Sequence, residues 1–123
     1  MHVQFHDNLD GGPRSREEVR FNRLGLYVYE DGRRVAIGFD LTPFIERPSI
    51  LVQVWNADGE EAASLSVIEA MQPNFNLTLH LRDEARKDPY EVEAILYYVG
   101  EQGDRLISDR HTRSFKLSIP GDQ

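Results

Sequence analysis

Phe75-Asn76-Leu77-Thr78-Leu79-His80-Leu81-Arg82 alternates apolar and polar residues without a break. In an extended chain successive side chains point to opposite faces, so this stretch reads as a strand with Phe75, Leu77, Leu79 and Leu81 on a dry face and Asn76, Thr78, His80 and Arg82 on a wet one. A dry face needs a second layer to cover it. The rest of the chain therefore has to supply one, and the same period of two recurs on both sides of this stretch.

Toward the N-terminus, Pro73 stops the strand, and before it Leu65 and Val67 alternate with Ser64, Ser66 and Ile68. Asn56-Ala57-Asp58-Gly59 is a turn signal that joins this fourth strand to a third, Ile50 to Asn56, with Ile50, Val52 and Val54 on one side. Pro43 and Pro48 bracket a loop, because neither can donate a ladder hydrogen bond in a central strand. Further back, Val35, Ile37, Phe39 and Leu41 form a second strand. The tight Glu30-Asp31-Gly32-Arg33 hairpin joins it to a first, in which Leu24, Leu26 and Val28 oppose Gly25, Tyr27 and Tyr29. Toward the C-terminus, 82–89 is a charged connection and Tyr90, Val92, Ala94, Leu96 and Tyr98 share one face of a sixth strand. A polar loop is expected over 101–112, and Phe115, Leu117 and Ile119 close the series. Seven short strands with turns between them and no sustained helical period predict an all-β, antiparallel, two-sheet sandwich over residues 20–119. Residues 1–19, with Gly11-Gly12-Pro13 and a charged run after it, are expected to form a flexible N-terminal arm, and 120–123 a C-terminal tail.

Tyr90-Glu91-Val92-Glu93-Ala94 resembles the Tyr-x-Val-x-Ala of the sixth strand in fibronectin type III domains. The succession of hairpin, loop, hairpin, loop and two final strands is similar to the arrangement of that family within the immunoglobulin-like superfamily. The resemblance implies a seven-stranded immunoglobulin-like sandwich in which Tyr90 forms a corner with the loop before it. It departs from the family at the second strand, where a Trp is replaced by Val35, Ile37 and Phe39, and the single Trp of this chain stands on the third strand.

A chain of 123 residues has room for one core. Its formal charge of −7 disfavours nucleic acid and anionic membrane, whose recognition needs clustered Lys and Arg. The absence of cysteine removes disulfides, thiol nucleophiles and cysteine metal sites together. The N-terminus lacks the basic start and apolar run of a secretory signal, which sets a cytoplasmic location as the default expectation. No nucleophile motif or phosphate-cradling loop occurs, so no catalytic site and no cofactor are expected. His2 and His6 beside Asp7 and Asp10 are read as a solvated tail and not as a metal site. Asp7-Asn8-Leu9-Asp10-Gly11 lacks the full ligand set of a calcium loop, and Asn76-Leu77-Thr78 fits a glycosylation sequon that would need a secretory route. His80 is expected on the exposed face of its strand, and His111 in a charged loop.

One surface feature points to binding. With Ile50, Val52 and Val54 inward, Leu51, Gln53 and Trp55 are left on the outer face of the third strand, and by the same parity Ile95, Tyr97 and Val99 on that of the sixth. The two strands are neighbours in an immunoglobulin-like order, so these rows are expected to merge into one apolar patch. A patch of this kind implies a protein-interaction or self-association module, a homodimer being its simplest form. The alternative is a carbohydrate- or small-ligand-binding sandwich in which Trp55 and Tyr97 stack on a ring and Gln53 supplies polar contacts.

Overall fold

The computed structural model describes residues 12–117. His2, His6, Asp7, Asp10, Ile119 and the expected tail at 120–123 lie outside them. After a short 3-10 turn at Arg16–Glu18, the strands are β1 (Phe21–Val28), β2 (Arg34–Leu41), β3 (Ser49–Trp55), β4 (Glu61–Val67), β5 (Asn74–His80), β6 (Tyr90–Val99) and β7 (Arg105–Phe115). They form two antiparallel sheets, one in the order β1-β2-β5 and the other β4-β3-β6-β7. The fold is thus the expected seven-stranded immunoglobulin-like sandwich.

The alternating rows meet between the sheets. Leu24, Val35, Ile37, Phe39, Leu41 and Leu79 come from one sheet; Ile50, Val52, Val54, Tyr90, Val92, Ala94 and Leu96 come from the other, and all are buried. Cross-strand aromatic pairs reinforce the rows, Phe39 stacking on Phe75 at 4.9 Å and Tyr90 on Phe115 at 5.4 Å. Both hairpins use the turn chemistry foreseen for them. Gly32 and Gly59 adopt φ of 67° and 83°, where a side chain would be strained, and the carboxylate of Asp31 accepts from the Arg33 N–H at 2.9 Å.

The structure corrects one boundary. Residues 101–112 are not a polar loop, because β7 runs from Arg105 to Phe115 beside β6 and only the turn at 100–104 stays irregular. β7 is an edge strand whose inward row, Phe115 aside, serves the neighbouring sheet instead of the core. Asp109 accepts from the Phe21 N–H at 2.9 Å, Arg113 donates to the Leu24 carbonyl, and the His111 ring stacks on Phe21 at 5.8 Å. His111 is therefore a strand residue and not a loop residue. Of the N-terminal segment, the described part touches the sandwich at a few points: the Arg14 N–H donates to the Pro43 carbonyl at 2.9 Å, the Ile45 N–H to that of Arg14 at 3.1 Å, and Val19 is fully buried.

The sandwich has two unlike ends. At one lie the β1–β2 and β3–β4 turns and the β5–β6 loop, joined through Asp83, whose side chain is 3% exposed. Its carboxylate accepts from the Tyr90 hydroxyl at 2.7 Å, from Asn56 Nδ2 at 3.0 Å and from Arg33 at 2.9 Å. Tyr90 also accepts from the Lys87 N–H at 3.1 Å, completing the corner that the sixth-strand motif implied. The Leu117 N–H donates to Asp88 at this end, whereas Arg14 sits at the other, beside the β2–β3 loop.

Burial alone would push the Asp83 carboxyl up, but the hydrogen bonds from Tyr90, Asn56 and Arg33 and the Arg33 charge outweigh it and hold the group below its usual value. A carboxyl depressed in the folded state adds stability that is present above its unfolded pKa and lost as pH falls through the folded one. Asp83→Asn is expected to cost about 2 kcal/mol near neutral pH. It is also expected to flatten the stability loss seen below about pH 4, with little effect on its slope between about pH 5 and 8. Urea unfolding of both proteins from about pH 3 to about pH 8 checks the sign.

Candidate functional site

β3 and β6 are sheet neighbours, as the patch required, and their outer rows are in register. Leu51 faces Ile95, Gln53 faces Glu93, and Trp55 faces Glu91. On the flanks, β4 brings Ser66 beside Leu51, Ser64 beside Gln53 and Glu61 beside Trp55, while β7 sets Arg110 next to Ile95 and Thr112 next to Glu93. A register shift between Val54 and Trp55 on the β4 side does not turn Trp55 inward, since its pairing to β6 continues unbroken. Leu51, Gln53, Trp55 and Ile95 are half-buried, and Val99 is 58% exposed.

The expected single apolar patch is divided. The row Ser64–Gln53–Glu93–Thr112 separates Trp55 from Leu51 and Ile95, and its two central side chains have partners. Gln53 Nε2 donates to Glu61 at 3.0 Å, and Arg110 Nε approaches Glu93 at 3.5 Å. The half of the face around Trp55 is therefore polar and acidic, with Glu61 and Glu91 on either side of the indole. Only the half toward the β2–β3 loop is aliphatic.

Tyr97 is a correction. It keeps its place opposite Ser49 in the outer row but is only 4% exposed, with the Arg105 guanidinium 4.7 Å above its ring. Period two states which way a side chain starts and not what later covers it, and a cation from the adjoining edge strand covers this one. Tyr98, inward as expected, donates its hydroxyl to the Glu46 carbonyl at 3.0 Å and lies under Arg16 at 4.9 Å. Burial pushes its phenol up.

Two contributors to the aliphatic half escaped the sequence reading. Ile68, 67% exposed, follows Val67, which pairs with Ile50, and Ile107, 51% exposed, pairs with Tyr97. Ile68 shares parity with Ser64 and Ser66, a signal that was legible. Ile107 was hidden by the assignment of its segment to a loop. In the register Ile107 stands opposite Tyr97, Leu51 opposite Ile95 and Val99 two residues beyond Tyr97, while Ile68 follows the last residue of β4.

Among the described residues no group of three or more His, Cys, Asp or Glu is placed to hold a metal ion, and no helix is long and apolar enough to cross a membrane. His80 is exposed on β5.

No protein-family model matches the sequence, and none of the curated proteins does. Among solved structures the chain is similar to a β-glucuronidase from Parabacteroides merdae, at 12% identity over 80% of this chain and 14% of that one, with a TM-score of 0.52. It is also similar to a glycosyl hydrolase family 2 member from Bacteroides cellulosilyticus, at 13% identity over 80% and 15% of the respective chains, with a TM-score of 0.54. The chain thus spans about one seventh of each enzyme. At such identities the likeness is one of fold.

Burial of Tyr97 sets an expectation opposite to that of a surface ring. Tyr97→Ala is expected to cost about 3 kcal/mol and Val99→Ala under about 0.5 kcal/mol, as read from urea midpoints. Equal, small losses would return Tyr97 to the surface.

Proposed function

We propose that this chain is a non-catalytic interaction module that docks on a protein partner through the aliphatic half of the outer β3–β6 face. The observation that carries the reading is the exposure of Val99 and Ile107 in the outer rows that also hold half-buried Leu51 and Ile95, with exposed Ile68 just past β4. A contiguous aliphatic area is costly to leave in water and is stabilised by covering it. Protein is the occupant that such a surface fits: the contacts on offer are branched hydrocarbon around the Arg105 guanidinium that caps Tyr97, with Arg110 and Glu93 toward the polar half.

The neighbouring half supports a second reading. Trp55 offers one ring face set among Gln53, Glu61 and Glu91, the combination of stacking surface and carboxylate or amide acceptors that suits a sugar. Tyr97, covered by Arg105, does not serve as the second platform, which makes this the weaker of the two. The solved structures of similar fold are described as glycosyl hydrolases, but they share only architecture with this chain.

A benzophenone side chain placed at position 107, compared with one at Tyr27 on β1, which is 61% exposed, tests the protein reading in the cells that make this chain. The expected result is a discrete cross-linked species from position 107 that disappears with Ile95→Asp. Equal yields from both positions would overturn the docking face. For the sugar reading, quenching of Trp55 fluorescence in a glycan titration, abolished by Gln53→Ala, is the expected sign.

A further inference from the structure

The two flanks of the sandwich are treated differently. On one, β1 and β7 are stitched together by Asp109 to the Phe21 N–H, Arg113 to the Leu24 carbonyl and Ser108 to the Arg16 carbonyl. On the other, a single backbone bond crosses just past the end of β5, from the Arg82 N–H to the Ala62 carbonyl of β4 at 2.7 Å, and from Asn74 to His80 β5 is the unpaired edge of its sheet. Natural sheets protect such edges with Lys, Pro, bulges or inward charges. β5 has none of these: its seven residues are Asn74, Phe75, Asn76, Leu77, Thr78, Leu79 and His80, in unbroken register with β2.

The direction of its free groups follows from the ladder. The Leu81 N–H donates to the Arg33 carbonyl and the Leu41 N–H to the Pro73 carbonyl, which marks both ends of the β2–β5 register as hydrogen-bonded pairs. Bonded and non-bonded pairs alternate in an antiparallel ladder. Leu79, Leu77 and Phe75 therefore bond to β2, while Asn74, Asn76, Thr78 and His80 turn their N–H and C=O groups to the open side. Groups at this spacing are met by another extended strand. The core-facing row behind them is also incompletely covered, since Phe75 and Leu77 are half-buried and a hollow of about 240 Å³ lies between Val67, Ala70, Met71 and Phe75.

The geometry points to a second copy of this chain as the occupant, paired β5 to β5 about a twofold axis at Leu77. In that register Asn74 faces His80, Asn76 faces Thr78, and the reverse pairs follow by symmetry. Every outward backbone group then meets an outward partner, Leu77 meets Leu77, and Phe75 meets Leu79 on the core side. No charged residue opposes a charge, which matters in a chain of net charge −7. The two three-stranded sheets become one continuous sheet. Cyclic twofold pairing is the commonest closed assembly. This surface is separate from the outer β3–β6 face, so either assignment can fail without the other.

Sedimentation at about 100 µM is expected to give twice the chain mass, falling about twofold in Thr78→Pro, which removes one outward N–H and leaves the β2 bonds intact. Thr78→Lys, which keeps the backbone donor, is expected to weaken the dimer while circular dichroism stays unchanged. Ser64→Lys on β4 and Ile95→Asp on the β3–β6 face are expected to leave it intact. Amide exchange at Asn76 and Thr78 is expected to slow by about tenfold or more between dilute and concentrated protein. A wild-type chain that stays monomeric at that concentration, a dimer that survives Thr78→Pro, or one dissolved by Ser64→Lys or Ile95→Asp would overturn the assignment.

Discussion

Two sheets without a disulfide between them are held by what their inner faces bury. In this chain that is one continuous layer: Val35, Ile37 and Phe39 from β2 lie across from Val52, Val54, Val92 and Ala94. β-branched and aromatic side chains suit a pleated surface, and their removal from water is the main favourable contribution to folding. Everything else in the structure depends on that layer being dry. The Asp83 cluster binds the turns at one end, and the β1–β7 side-chain contacts close one flank, but neither would place a sheet without it.

Legibility followed the same division. Strands whose side chains face the layer were readable because burial writes itself as period two, and Phe75 to Arg82 or Ile50 to Trp55 show it without interruption. β7 was not readable, because its inner row is Asp109, His111, Arg113 and Phe115 and mostly satisfies the backbone and ring of another strand. A row selected for hydrogen bonding has no hydrophobic period to detect. The segment from Gly12 to Arg20 was opaque for a related reason: it is attached through backbone groups of Arg14 and Arg20, with Val19 its one fully buried anchor.

Parity anticipated that the outer rows of β3 and β6 adjoin, but not the polar residues that stand among them. Alternation placed Leu51, Gln53, Trp55, Ile95 and Val99 outward, and β3 and β6 do adjoin. Parity does not reveal what the flanking strands contribute. β4 adds Ser64 and Glu61 and β7 adds Thr112 and Arg110, which turn the middle and lower rows polar. Tyr97 fell to the same blindness, since its cover comes from Arg105, eight positions along the chain and on a strand that had been taken for a loop.

Among the described residues, Arg14 lies beside the β2–β3 loop and Leu117 beside Asp88, at the opposite end of the sandwich. β1 and β7 therefore run side by side in the same direction, each antiparallel to its own sheet neighbour. Mechanical tension applied at the two ends would pull along the strands. It would load many ladder bonds at once in shear, together with the Asp109 and Arg113 stitches, and would not peel the bonds one by one.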